Sequence, residues 1–265
     1  MNWNKISAII RSDIIKMSHS SKASHLASAL SCVDILTVLY CSVMRINRDL
    51  LEASDRDRFI LSKGHAAAAL YAVLAYRGII DKGDLLSYGM KASLLEEHPS
   101  PKQNGVEAAT GSLGHGLAIG NGMALSSKIS GCKFSVFVLM SDGECNEGSV
   151  WEAAMFAATH ELNNLIAIVD YNKWQATDRS DEVMKLTPFV EKWASFGWDV
   201  LEVDGHDHQE LFNAMTSSNE KRPRMIIAHT VKGKGVSFME DDNNWHYRVP
   251  TTEEVQAARL ELEVA

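Results

Sequence analysis

Residues 134–154 read FSVFVLMSDGECNEGSVWEAA: an apolar run from Phe134 to Met140 ends in Ser141-Asp142-Gly143, and Glu144, Glu147 and Glu152 follow soon after. An apolar run of this length, closed by a turn signal, reads as a strand buried on both faces. Three more runs of similar length come after it, Leu165–Asp170, Asp199–Val203 and Met225–His229, each preceded by a segment with helical periodicity. Such alternation predicts an α/β fold, a parallel sheet with crossover helices on both faces. The stretch also poses a question of chemistry, because carboxylates crowd the strand end where α/β proteins bind ligands.

Upstream, residues 5–17 and 30–44 show helical spacing, and Ala66–Tyr76 is a small-residue helix following Leu61-Ser62-Lys63-Gly64-His65, so the first third is expected to be mainly helical. Residues 87–110, with Pro99, Pro101 and Gly105, read as a long connection, a type of segment that often carries function. Thr251–Ala265 is expected to be a terminal helix capped by Thr251 or Thr252 ahead of two glutamates.

A chain of 265 residues that is 46% hydrophobic can bury a sizeable core, and one domain spanning 1–265 is the expectation. Its net charge of −8, with no basic tract, argues against nucleic acid and anionic membrane as partners. Cys32, Cys41, Cys132 and Cys145 show no CxxC spacing, which fits a reduced, cytoplasmic setting rather than a disulfide framework. No apolar run approaches the roughly 18 residues a membrane helix needs, and Arg11, Asp13 and Lys16 interrupt the N-terminal pattern of a signal peptide. A soluble, unsecreted chain is expected.

Asp142 follows the first of these strands and Asn172 the second, so the two can face one ligand. A carboxylate and a neutral amide oxygen suit Mg²⁺ or Ca²⁺ and leave coordination positions for phosphate oxygens, while Gly143 admits a phosphate close to the backbone. The alternative is turn chemistry alone, with Asp142-Gly143 making a turn and Asn172 capping the next segment. Gly111-Ser112-Leu113-Gly114-His115-Gly116, continuing to Gly120-Asn121-Gly122, reads as a glycine-rich helix entry against which a flat ring could lie, or as helix-packing glycines. His25, His65, His98 and His246 all sit near glycine, serine or proline, the setting of ligand-contacting histidines. Lys232 and Lys234 lie in a glycine-rich turn, suited to a phosphate or to solvent. His206-Asp207-His208 fits a polar turn opening a helix better than a metal site.

The spacing Asp142-Gly143, 28 residues, then Asn172-Lys173 resembles the thiamine diphosphate signature. The rest of the chain resembles the N-terminal, diphosphate-binding half of a transketolase. Asp57-Arg58-Phe59-Ile60-Leu61-Ser62-Lys63-Gly64-His65, His98-Pro99, Gly105-Val106-Glu107, Thr110–Gly116, Phe196-Gly197-Trp198 and Thr230–Gly235 stand in that family's order.

The resemblance implies the thiamine diphosphate fold, with Asp142, Asn172 and the backbone carbonyl of Trp174 ligating Mg²⁺ (Ca²⁺ or Mn²⁺ as substitutes). It places Gly143, His65, Lys232 and His246 on the diphosphate, Gly111 and Leu113 beside the aminopyrimidine, and His25, His65 and His98 on the donor sugar. The implied reaction moves a two-carbon unit from a ketose to an aldose or aldehyde. Glu147 matches a glutamate that faces the partner half; Glu152 could join it or favour its helix dipole, and Glu144 reads as a solvated surface carboxylate.

Transketolases continue into pyrimidine-binding and C-terminal domains, so the resemblance implies a split enzyme completed by a separate chain, as an α2β2 assembly. Trp151, Ala153, Ala154 and Phe156 would then form an interface stripe, or else ordinary core. Leu26, His115 and Tyr247 depart from the usual proline, glutamine and glycine, expected near the substrate, which puts a pentose phosphate substrate in question. Two alternatives remain at this point, the α subunit of a thiamine-dependent 2-oxo acid dehydrogenase and a non-catalytic interaction subunit that keeps the fold.

Overall fold

The computed structural model describes residues 1–218 and 221–264. Among them, β1 (Arg58–Leu61), β2 (Val136–Ser141), β3 (Leu165–Tyr171), β4 (Asp199–Asp204) and β5 (Arg224–His229) form one parallel sheet in the order β1-β2-β3-β5-β4. Four of these are the apolar runs of the sequence, the first beginning at Val136 rather than Phe134. The fifth, β1, interrupts a region expected to be helical. It is short and opens on Arg58, so neither length nor alternation marks it, and its pairing with β2, Arg58 opposite Val136 and Leu61 opposite Leu139, makes it a strand.

The helices are α1 (Trp3–Ser21), α2 (Leu26–Ser31), α3 (Val33–Val38), α4 (Ala67–Tyr76), α5 (Gly116–Ser130), α6 (Gly148–Thr159), α7 (Ser180–Val183), α8 (Phe189–Ser195), α9 (His208–Thr216) and α10 (Thr252–Glu261). The single helix expected over 30–44 is broken at Cys32 and finishes in a π-helical turn, Leu39–Val43. Thr251 caps α10 in a capping box: its hydroxyl accepts the Glu254 amide at 3.2 Å, and the Glu254 carboxylate accepts the Thr251 amide at 2.8 Å. Ala265, where that helix was expected to finish, lies outside the described residues.

Strand side chains alternate between two apolar layers. Phe137, Leu139, Ile166, Ile168 and Ile226 join the layer containing residues of α1 to α4 and α9, whereas Val136, Val138, Leu165, Ala167 and Val169 join the one containing residues of α5, α6 and α8. Burial of each large aliphatic side chain stabilises the fold by roughly 1.5–3 kcal/mol. Gly116 and Gly120 let α5 approach the sheet: a Cβ on Gly116 would lie 2.1 Å from Ser62 Oγ, and one on Gly120 would lie 2.6 Å from Val138 Cγ2. These two glycines therefore serve packing, the alternative the sequence left open.

After β3 the chain steps to the far edge for β4, then turns back to insert β5 between β3 and β4. The carboxyl ends of β2, β3 and β5 are thereby side by side, and the loops leaving them carry Asp142, Asn172 and Lys232. The long connection before α5 is tied to the start of β1, where Glu107 pairs with Arg56 and lies 3.8 Å from Arg58.

Candidate active site

Asp142 closes β2 and is fully buried. Its carboxylate accepts the Gly143 amide at 2.8 Å, the Lys173 amide at 2.9 Å and the Ser180 hydroxyl at 2.7 Å, which folds the loop after β3 back over the end of β2. Lys173 takes a left-handed conformation there, and Trp174 pairs with Arg179 in an antiparallel bridge. Asn172 uses its amide oxygen to accept the Trp174 amide at 3.0 Å, so it does cap its own turn. Burial drives the Asp142 carboxyl up to about 6, against the pull of Ser180 and Gly143.

A carboxylate has about four lone-pair positions and an amide oxygen has two. Three hydrogen bonds to Asp142 and one to Asn172 leave each with acceptor capacity, on hard oxygen atoms at adjoining strand ends. That donor set fits a small divalent cation that brings its own anion, since the described residues hold no group of three or more histidine, cysteine or acidic side chains suited to a metal.

All four singled-out histidines line one cavity of about 380 Å³, together with Gly111, Leu113, Asp142, Gly143, Glu147, Asn172 and Trp174. A more open depression of about 580 Å³, between Met1 and Gln209, contains none of them. The His25 ring centroid lies 5.6 Å from that of His65, 6.4 Å from His98 and 5.0 Å from His246. His25 has φ of +67° at the start of α2 and donates its backbone N–H to the His246 carbonyl at 2.7 Å. Backbone held in this sparsely populated region marks a position fixed by its surroundings.

Lys232 reaches the same cluster from the loop after β5. Its side chain is buried, and Nζ lies 2.6 Å from Asn243 Oδ1 and 3.1 Å from His246 Nδ1. An ammonium only donates, so His246 Nδ1 accepts and the ring proton sits on Nε2. Burial, then the Lys63 charge, brings Lys232 down to about 8. Burial, then Lys232, brings His246 down to about 3, while burial, then Lys63, holds His65 well below the usual histidine value. His25 is lowered by burial and then by His98. His25, His65 and His246 are thus neutral imidazoles beside a cationic lysine. The other loop lysine, Lys234, is half-exposed and pairs with Glu240 at 3.2 Å.

Gly111 lies against His98, and its φ of +141° already favours glycine; a Cβ there would meet His98 Cδ2 at 2.8 Å. Glu144, expected in solvent, is fully buried instead. Its carboxylate accepts the Ser62 hydroxyl, the Gly114 amide at 2.9 Å and the Ser141 amide at 3.3 Å, tying the end of β2 to the glycine-rich loop. Two long-range donors, Gly114 on that loop and Ser62 at the β1 end, override the surface reading of its local sequence. Glu147 is exposed at the cavity rim.

Sequence reasoning missed three further features. Lys63 and Asp170 form a fully buried ion pair beneath the cavity, and Asp170 also accepts from Ser31 at 2.5 Å and from Thr230. Its one signal was a lone aspartate closing an apolar strand. Gln175 lies over Gly143, its Cγ 3.1 Å from where a Cβ would be, and donates to Asn146 at 3.1 Å. Arg179 stacks 3.8 Å over the Trp174 ring and holds Asp241 through two bonds of 2.7 Å, latching the loop after β3 to the segment before His246.

The stripe on α6 divides. Ala153 and Ala154 are core, Trp151 packs 4.9 Å from Trp193, and Phe156 is exposed beside the exposed Met155. None of Leu26, His115 and Tyr247 lines the cavity; Leu26 is core, and the exposed Tyr247 stands edge-on to His246 at 4.7 Å. Asp207 caps α9, as its sequence suggested, while His206 and His208 bond to Asp34.

The model of the family described as transketolase, thiamine diphosphate binding domain, matches residues 3–264. The chain is 41% identical to one of the apulose-4-phosphate transketolase subunits, that of Phocaeicola vulgatus, over 95% of its own length and 90% of that protein. It is 38% identical to a 6-deoxy-6-sulfo-D-fructose transketolase subunit of a Clostridium species over 90% of its length and 88% of that protein. The structure of transketolase from Campylobacter jejuni superposes with a TM-score of 0.92 at 27% identity, covering all of this chain and 43% of that one.

Proposed function

Because the chain belongs to the transketolase family through its thiamine diphosphate binding domain, we propose that it is the diphosphate-binding subunit of a two-chain enzyme of ketol transfer. The observation that carries this reading is the convergence of four histidines on the cavity that Asp142 and Asn172 close. Two relatives named as transketolase subunits, each covered almost end to end, support the split. Residues 1–265 then form one domain, a separate cytoplasmic chain supplies the pyrimidine-binding domain, and the pairs assemble as α2β2.

Asp142, Asn172 and the Trp174 carbonyl hold Mg²⁺ in this reading, with acceptor capacity left over for it. Lys232, His65, His246 and the Gly143 backbone receive the diphosphate, and Gly111 and Leu113 support the pyrimidine ring. Bound thiamine diphosphate supplies the carbanion chemistry of two-carbon transfer. His98 and the neutral pair His25 and His65 then bind sugar hydroxyls, donate to developing oxyanion charge and carry protons. The neutrality of that pair is favoured by burial, which spares a positive charge beside Lys232. Glu147 at the rim meets the partner subunit. The substrates named for the two relatives, apulose 4-phosphate and 6-deoxy-6-sulfo-D-fructose, support a ketose donor.

The test is capture of the chain from its native lysate with Mg²⁺ and thiamine diphosphate, followed by assay of the eluate for transfer of a two-carbon unit from a ketose to an aldehyde. Turnover that needs the cofactor and a co-purifying second chain supports the proposal. A chain recovered alone that binds no Mg²⁺-thiamine diphosphate refutes it and favours the role of an interaction module.

A further inference from the structure

Arg11 on α1 and Asp34 on α3 are buried and joined by two hydrogen bonds of 3.0 and 2.6 Å. Asp34 also accepts His206 Nδ1 at 2.8 Å and lies 3.2 Å from His208 Nε2. His208 in turn meets the Ser7 hydroxyl at 3.0 Å and stacks on Trp3. None of these side chains lines the histidine cavity. For stability alone, buried ionic groups of this kind are often no better than apolar side chains of the same volume. Their remaining bonds have one destination.

His206 Nε2 accepts the Val231 amide at 2.9 Å, and Arg11 Nε donates to the Lys234 carbonyl at 2.8 Å. A backbone N–H only donates, so His206 is neutral and its one ring proton, on Nδ1, belongs to Asp34. Gly235 permits the approach of Arg11: its φ is +96°, and a Cβ would lie 2.7 Å from Arg11 Cδ. The loop is thus gripped on both sides of Lys232, whose own carbonyl accepts the Asp241 amide at 2.8 Å.

We infer that Arg11, Asp34 and His206 are positioning residues, a clamp outside the cavity that fixes the Val231–Lys234 turn so that Lys232 is presented to the diphosphate. The inference rests on the cofactor reading above. Without the clamp, the turn must be ordered by the ligand itself, and affinity falls by that cost.

The imidazole's two roles can be separated. In His206→Gln the side-chain oxygen reaches the place of Nε2 and accepts from Val231 but leaves Asp34; in His206→Asn the amide nitrogen replaces Nδ1 and keeps Asp34 but leaves Val231. Titrating the full chain calorimetrically with Mg²⁺ and inorganic pyrophosphate, the Asn variant is expected to bind about tenfold more weakly, the effect of roughly one lost hydrogen bond, and the Gln variant to stay within about twofold of wild type. Hydrogen exchange should speed up over residues 230–235 in the Asn variant alone. The opposite order, or wild-type affinity in both, overturns the clamp, as does loss of the fold in both, which would make the cluster a support of the core. A wild-type chain that ignores Mg²⁺-pyrophosphate defeats the cofactor reading instead.

Discussion

Replacing Asp170 by asparagine removes one charge from a pair in which both side chains are fully buried. Lys63 then keeps the Ser28 carbonyl, at 2.9 Å, as its remaining described acceptor besides the new amide. An uncompensated buried charge of this kind costs about 3–5 kcal/mol. At roughly 2–4 °C per kcal/mol for a chain of this size, the melting temperature should fall by on the order of 10 °C.

The pH dependence follows from the same geometry. In the wild type, burial opposes ionisation of both groups, yet mutual attraction wins, so Lys63 titrates above its ordinary 10.5 and Asp170 below its ordinary 3.8. The stability given by Lys63 is present below 10.5 and lost as pH rises through the raised value. That from Asp170 is present above 3.8 and lost as pH falls through the lowered one. Asp170→Asn leaves burial to act on Lys63 with the carboxylate gone, which lowers its folded value, so the deficit of the variant should shrink as pH approaches 10. Urea denaturation of wild type, Asp170→Asn, Lys63→Met and the double variant closes the cycle, the double variant being expected nearer to wild type than either single one. Additive losses, or a single-variant loss below about 1 kcal/mol, would refute the reasoning.

Three further outcomes are expected. Asp142→Ala should abolish Mg²⁺-dependent binding of thiamine diphosphate by calorimetry, and the stability of the metal-free wild type relative to that variant should rise from pH 7 to pH 5 in urea denaturation, because a carboxyl raised from 3.8 to about 6 opposes folding above pH 6 and is relieved as pH falls. For His246 the sign is reversed: lowered from 6.5 to about 3, it leaves stability intact above 6.5 and subtracts from it as pH falls, so His246→Gln should recover about 1–2 kcal/mol of the loss measured by urea at pH 5. Gly111→Ala should cost roughly 1–3 kcal/mol and raise the KM for the ketose donor, since a Cβ at φ +141° must push His98 aside.

The central strands were legible because strands buried on both faces are apolar along most of their length, and residues 165–169 of Leu165–Tyr171 or 225–228 of Arg224–His229 show this. Asp142 and Asn172 were legible for a related reason: a strand end fixes where the next side chain lies. The four histidines were found by their neighbours and by the family order, not by any periodicity. What escaped depends on distant partners. Glu144 is buried by Ser62 and Gly114, 82 and 30 positions away, and Lys63 finds Asp170 at a separation of 107. Local sequence gives a turn carboxylate and a loop lysine the same appearance in either state. The strand β1 escaped because its four residues carry too little pattern until β2 lies beside them.

The contact between the start of α2 and the segment around His246 has a consequence for the order of assembly during synthesis. Ser28 and His246 meet across 218 positions, and His25 and His246 share a backbone hydrogen bond, so one wall of the cavity emerges early in translation and waits for the other. Contacts of such separation carry the largest loop-closure cost and form late. In the proposed reading, cofactor capture needs both walls of the cavity and therefore reports completed folding.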